Sequence, residues 1–401
     1  MSIRVSRQAA ARFLLASQGL LEADDLAPWR DELSGPDGTL EAVRRLECIQ
    51  VDPVSLVSQN QHLVLWNRVR DYHPEQLDGL LGAGRVFEHE ANARCVIPME
   101  EYPLFRPRMR HYRALAWERR AELGEAPERI LREITDLGPR TSREIESDER
   151  VVAYWDAVPR TKATSFAFEL LWESGELMVT GRRGLEKVYD IPERVVPADL
   201  CVKAEETNDE EAARGLLDKY FRALRLFDVG DFRFGWQRMP TTERRALVDG
   251  AVRDGRLVEV EIEEVRRRYY VLSQDVDRLR EFDRPGLDVS PRVFLVSPLD
   301  NLLWRRERLA DVFGFEYTWE IYIPASKRRY GAYTMPIVCG DRIIGRVCPR
   351  ADRKQGLLVV EGIWFEEGTA NDQGVSDALL RLAEFAGLQE VSWIRTGGLP
   401  D

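Results

Sequence analysis

An amide and a carboxylate stand two positions apart in the segment Cys48-Ile49-Gln50-Val51-Asp52-Pro53. Pro53 disfavours helical backbone at Asp52, which predicts an extended strip there. Side chains two apart in an extended chain project to the same side. Gln50 and Asp52 then point together, with Ile49 and Val51 buried behind them. On a helix the same pair would diverge. A carboxylate beside an amide can hold a water molecule and take its proton, and its charge can stabilise a cationic intermediate. The plainer alternative is that Asp52 caps the next helix while Gln50 is a solvated surface residue, and spacing alone favours that alternative. No lysine adjoins the strip to act as an amine nucleophile, so water is the expected attacker.

Other chemistries find no foothold in the pattern. There is no phosphate-cradling loop, dinucleotide glycine fingerprint, nucleophile elbow or His-Glu-x-x-His. The four histidines, His62, His73, His89 and His111, lack metal-ligand spacing. The five cysteines, Cys48, Cys95, Cys201, Cys339 and Cys348, are scattered and form no Cys-x-x-Cys pair, which reads as reduced thiols. The expectation is a protein with no metal, no nucleotide cofactor and no other cofactor. No apolar run approaches the ~18 residues of a membrane span. The segment up to Leu20 is amphipathic, broken by Arg4, Arg7 and Arg12, and has no signal-peptide core. A cytoplasmic protein is expected.

The elements that must position the strip read as α+β. Ser6–Ser17 is an expected helix stopped by Gly19, and Thr39 is the expected cap of a short helix over Leu40–Leu46. Pro74 opens a helix that Gly82 and Gly84 end, Val86–Pro98 reads as extended, and Pro103–Ala121 as an Arg-rich helix interrupted at Pro107. From Pro127 come a helix around Ile130–Ile134, a Thr141/Glu144 capping box opening a second, and Ser165–Ser174 as a third. Strands Leu177–Thr180 and Leu185–Tyr189 follow, separated by Gly181-Arg182-Arg183-Gly184. Three helices and a hairpin make the winged-helix plan. It recurs with Ala212–Leu226, the link Asp228–Phe234, Thr241–Asp254 and strands Leu257–Ile262 and Arg268–Leu272. From Val293 the pattern turns to β, with Val293–Val296, Glu320–Ile323, Thr334–Val338, Arg342–Val347 and Leu357–Trp364 strand-like before a closing helix Val375–Phe385. The expected domains are 1–125 with Gln50 and Asp52, 126–200, 201–288, and a β-rich 289–401.

The net charge of −11 argues at first sight against a nucleic-acid partner, but the basic residues cluster. Arg94–Arg120 holds seven Arg against three Glu, and Lys327–Lys354 holds eight Lys or Arg against two Asp. Acid gathers elsewhere, in Lys203–Glu211 and on the polar face of Leu257–Ile262. That suits one basic face and an acidic back; solvated helix faces and sheet edges are the equally weighted alternative for either cluster alone. The expected DNA contacts are Arg106, Arg108, Arg110, Arg182, Arg183, Lys327, Arg328 and Arg329, with the glutamate-rich hairpin facing away.

The stretch Leu46–Val57, followed by Leu63-Val64-Leu65-Trp66-Asn67-Arg68, resembles the catalytic region of the YcaQ/AlkZ-like winged-helix DNA glycosylases, in the Gln-x-Asp form of the YcaQ-type branch. A second block is similar too: Ser297-Pro298-Leu299-Asp300, Phe313-Gly314-Phe315, Glu320–Pro324, Lys327-Arg328-Arg329-Tyr330-Gly331, Pro336-Ile337, Gly340-Asp341-Arg342, Gly345-Arg346 and Ala351-Asp352-Arg353-Lys354. The tripeptide alone is weakly specific; the two blocks in order, over about residues 5–390, are strong. The resemblance implies tandem winged-helix domains, about three, with a C-terminal β-rich domain. It implies a DNA glycosylase that hydrolyses the N-glycosidic bond of N7-alkylated purines in double-stranded DNA, including those in interstrand crosslinks. Gln50 would orient the water, and Asp52 would be general base and electrostatic stabiliser. Where many members carry a Trp-Ala-His-Glu type of run, this chain reads His89-Glu90-Ala91-Asn92-Ala93-Arg94. His89 is therefore either a substitute active-site residue or one packed in a sheet.

A reading from another class is a non-catalytic winged-helix DNA-binding protein or regulator. Against it, the third helix of the second unit, Ser165–Ser174, carries Glu169 and Glu173 and no base, which is poorly suited to entering a DNA groove.

Overall fold

Ser6 sits in extended backbone and accepts the Ala9 N–H on its hydroxyl at 3.1 Å, starting the helix Arg7–Ser17 as a serine before an apolar-periodic run should. The computed structural model describes residues 2–23, 26–27, 32–145, 147–184 and 186–394. They form two units, Met1–His73 with Tyr220–Asp401, and Pro74–Lys219. The segment expected as one domain over 1–125 thus contributes to both. Among the described residues no helix is long and apolar enough to cross a membrane.

In the first unit, the N-terminal helix shares a core with residues far along the chain. Phe13 and Leu14 of the N-terminal helix bury with Val260, Tyr269, Phe294 and Leu309. The hairpin Leu257–Ile262 with Tyr269–Leu272 gains a third strand, Ser2–Val5, which runs parallel to Leu257–Ile262 with Ile3 opposite Val260. A second sheet runs Val293–Leu295, Met335–Cys339, Arg342–Asp352 and Leu357–Phe365, each antiparallel to the one before. Helix Asp372–Phe385 then carries the chain across to a parallel edge strand, Glu390–Trp393. Its Val375, Leu379 and Leu382 pack on Ile337, Val347, Leu358 and Val360. Arg308 is fully buried and donates to the carbonyls of Leu224, Leu226, Asn301 and Leu302, so that one guanidinium ties four backbone acceptors together.

Two expectations in this unit are corrected. The helix expected over Leu40–Leu46 runs Gly35–Leu46, with Pro36 in its first turn, so Thr39 lies inside it and donates to Gly35 O at 2.9 Å instead of capping. Glu320–Ile323 is a turn and no strand, because the Glu320 carboxylate is drawn onto the backbone N–H groups of residues 329–331.

The second unit opens with helix Pro74–Gly82 and the hairpin Val86–Glu90 with Arg94–Pro98. Helix Tyr102–Leu115 passes through Pro107 unbroken, and the interruption falls at Ala116. A proline in the second turn forfeits a single hydrogen bond, and the buried Phe105, Pro107 and Met109 hold the helix across it. After helix Ala126–Leu137, the capping box forms its bond, Thr141 N to Glu144 Oε2 at 2.7 Å, yet only a turn results. One capping bond does not offset the cost of helix nucleation. Helix Ala163–Glu173 and the hairpin Met178–Arg183 with Glu186–Asp190 follow; Leu185, the expected start of the second strand, lies outside the described residues. The expected helix Ala212–Leu226 runs Asp209–Leu224.

Candidate active site

The Gln-Val-Asp strip begins in a turn. Helix Gly35–Leu46 ends at Glu47, whose φ of 68° is rare for a residue with a side chain. Arg222 clamps the Glu47 carboxylate through Nε at 2.6 Å and Nη2 at 3.1 Å. Asn301 Nδ2 donates to the carbonyls on either side, Leu46 O at 3.2 Å and Cys48 O at 2.9 Å. Strained backbone persists only where its surroundings over-determine it, and here two side chains do so.

The strand is only Ile49–Gln50. Asn60 Nδ2 donates to Gln50 O at 2.6 Å, and Ser297 Oγ donates to Asn60 Oδ1 at 2.7 Å. The Tyr333 hydroxyl lies 3.2 Å from Ser297 Oγ. Beyond the strip, Ala351 N donates to Leu56 O and Arg353 Nη2 to Val57 O, each at 2.8 Å. Asp300 takes the guanidinium of fully buried Arg68 on both oxygens, at 2.8 and 2.9 Å, and Arg68 Nε reaches Gln18 O. The blocks Ser297–Asn301 and Ala351–Arg353 therefore serve, in large part, to fix the segment around Gln50.

Asp52 is half-buried, and its Oδ1 accepts the Val54 N–H at 2.8 Å. It closes a local turn. The next helix, Asn60–Arg68, starts instead from Gln59, so Asp52 is not the helix cap of the plainer reading. Because the strand stops at Gln50, Val51 is half-buried, in contrast to the fully buried Ile49. Burial raises the Asp52 carboxyl above the ordinary aspartate range, and the Val54 N–H pulls part of the way back. Burial chiefly, and in lesser part the charge of Asp52, pushes the Tyr333 phenol up. A partly desolvated carboxylate is a stronger base than a solvated one. Among the described residues no group of three His, Cys, Asp or Glu is placed to hold a metal ion.

The expected DNA-contacting residues divide. Arg106 Nε donates to Glu205 at 3.0 Å, Arg108 Nη1 to Glu90 O at 3.2 Å, and Arg110 Nη2 to Thr207 O at 2.9 Å. Arg182 is turned inward onto the buried Glu88 and is only 11% exposed, whereas Arg183 is 57% exposed and pairs with Glu144 at 3.1 Å. Lys327 and Arg329 are exposed, and half-buried Arg328 spends its guanidinium on the carbonyls of Glu320, Ile321 and Ile323. His89 is buried in the second unit among Phe105, Tyr112 and Trp172, with Nε2 3.2 Å from Glu173 O. Burial lowers it to about 3, so the ring is neutral at physiological pH and packs as a sheet residue.

Sequence reasoning did not single out Asn60, Asn301, Tyr333 or Glu47. Asn60 and Asn301 carried no local signal: Ser297, which holds Asn60, and Leu46 and Cys48, which Asn301 holds, lie more than two hundred residues away in the chain.

Residues 43–385 match the family described as AlkZ-like, DNA glycosylase AlkZ-like. Among solved structures, the chain is similar to the Streptomyces sahachiroi DNA glycosylase AlkZ, with 15% sequence identity and a TM-score of 0.60 over 98% of this chain and 100% of that one. At that identity the likeness speaks for the mixed α+β fold alone. The family match is of another kind, since it takes in Gln50, Asp52, the clamp at Ser297–Asn301 and the block at Ala351–Arg353. The chain belongs to the AlkZ-like DNA glycosylase family and is a DNA N-glycosylase.

Proposed function

We propose that the protein hydrolyses the N-glycosidic bond of N7-alkylated purines in double-stranded DNA, N7-linked interstrand crosslinks included, with Asp52 as general base and Gln50 orienting the water. The observation that carries this reading is Asp52 itself: a half-buried carboxylate, made more basic by burial, on backbone pinned from both sides. In the step, the water oxygen bonds to C1′ as the C1′–N9 bond breaks, and the water proton passes to Asp52. The base leaves with the bonding pair, which neutralises the positive charge that N7 alkylation placed on its ring. Such a leaving group needs no strong acid, and the Asp52 charge faces the cationic sugar as it forms.

DNA contact is assigned to Lys327, Arg329 and Arg183, the exposed members of the expected set. Arg106, Arg108, Arg110, Arg182 and Arg328 hold the fold. Winged-helix units are supported by helices Ala126–Leu137 and Ala163–Glu173 before one hairpin, and Thr241–Arg253 before Leu257–Ile262 and Tyr269–Leu272. The place of action would be cytoplasmic, on nucleoid DNA. The substrate reading is tested by single-turnover incubation with methylated duplex DNA. Release of 7-methylguanine, with none of unmodified guanine, is expected; failure to release any N7-alkylated purine contradicts it.

A further inference from the structure

The turn that replaces the expected strand at Glu320–Ile323 holds one aromatic ring outward. Tyr322 is 80% exposed. A flexible loop would let so large a ring fold back onto apolar surface, but this loop is fixed on both sides of it. The Glu320 carboxylate accepts the N–H groups of Arg329, Tyr330 and Gly331 at 2.8–3.0 Å. The Arg328 guanidinium donates to the carbonyls of Glu320, Ile321 and Ile323 at 3.2, 3.1 and 2.8 Å. The two carbonyls flanking Tyr322 in sequence are thus held by one planar side chain.

The ring is also tied to the frame of the active site. Tyr322 meets Trp319 edge to face with centroids 5.5 Å apart, and Trp319 meets buried Tyr333 in the same manner at 6.5 Å. Tyr333 contacts Ser297, which holds Asn60, which holds Gln50 O. Outward from this pillar, residues 321–331 carry no acid, and Lys327 and Arg329 are exposed. The carboxylate at the start of the loop, Glu320, is 5% exposed and occupied by backbone. An exposed π-face with two exposed cations, Lys327 and an Arg329 that lies over the Tyr330 ring at 4.9 Å, on a rigid support, matches a stacked base with its neighbouring phosphates.

We infer that Tyr322 stacks on a DNA base beside the damaged nucleotide, while Lys327 and Arg329 engage the adjoining phosphates. The loop then holds the distorted duplex in register with Gln50 and Asp52. This inference rests on the glycosylase reading above. It is tested with the full chain and a duplex carrying a tetrahydrofuran abasic analogue next to 2-aminopurine, which reports stacking by fluorescence. Tyr322→Ala should bind this duplex about 5- to 150-fold more weakly, the range for one base–aromatic stack, and should lose the fluorescence change on binding. Tyr322→Phe should retain both. Lys327→Ala and Arg329→Ala should each flatten the salt dependence by roughly one unit of slope, and Tyr322→Ala should leave it unchanged. Wild-type affinity and fluorescence in the alanine variant, or a loss that phenylalanine does not restore, overturns the inference. Failure of the glycosylase reading looks different, since undiminished base release by Asp52→Asn would reject it whatever Tyr322 does.

Discussion

Asp52 illustrates how a single carboxyl can be tuned by place. Its partial burial raises the proton affinity, and the Val54 N–H moderates the shift without cancelling it. Two pH consequences follow from that direction. The proposed general-base role needs the ionised form, so excision should fall off on the acid side at a pH above the ordinary aspartate range. Stability carries the opposite sign. A carboxyl whose proton is held more tightly in the folded state favours the fold at low pH, and that contribution is lost as pH rises through the raised value. At neutral pH the Asp52 charge is therefore a cost to the fold. Asp52→Asn removes the charge and keeps an oxygen for the Val54 N–H, so its thermal midpoint should equal or exceed that of the wild type. A clear drop in melting temperature would show that the carboxylate serves the fold.

At the scale of elements, the clamp around the strip depends on a buried ion pair, Arg68 with Asp300. Removing one partner of such a pair leaves an uncompensated charge and costs about 3–5 kcal/mol. Asp300→Ala should lower folding stability by that amount in a urea titration, and a loss below ~1 kcal/mol would mean that Arg68 is compensated by its carbonyl contacts alone. The elements themselves were unevenly legible in the sequence. Helices Arg7–Ser17 and Pro74–Gly82 announce their ends through Ser6 and Pro74, local signals that tertiary packing does not override. Strand Ser2–Val5 is invisible, because four residues gain strand structure only from a partner at Leu257–Ile262. Glu320–Ile323 alternates like a strand, and its true conformation is set by where the Glu320 carboxylate finds donors, ten residues later. Gln50 and Asp52 could be paired by spacing. The groups that hold them, Asn60, Asn301 and Tyr333, converge only in the folded chain.

For the whole molecule, the net charge of −11 means that attraction to DNA has to come from local groups. Counting arginines along the chain overstates that supply, since many are paired within the fold. Arg183→Ala should reduce the salt dependence of DNA binding by roughly one unit of slope. Arg182→Ala should leave the slope unchanged and destabilise the protein, because it strands the buried Glu88. Equal loss of slope in both variants would contradict this division of labour. The central claim, that this member of the family removes a damaged base through water activated at Asp52, is met most directly by one measurement: the single-turnover rate of 7-methylguanine release by Asp52→Asn, with DNA affinity read in parallel. The prediction is a rate lower by about 10²–10⁴-fold with affinity within a few-fold of wild type. Release at the wild-type rate by the asparagine variant would contradict it.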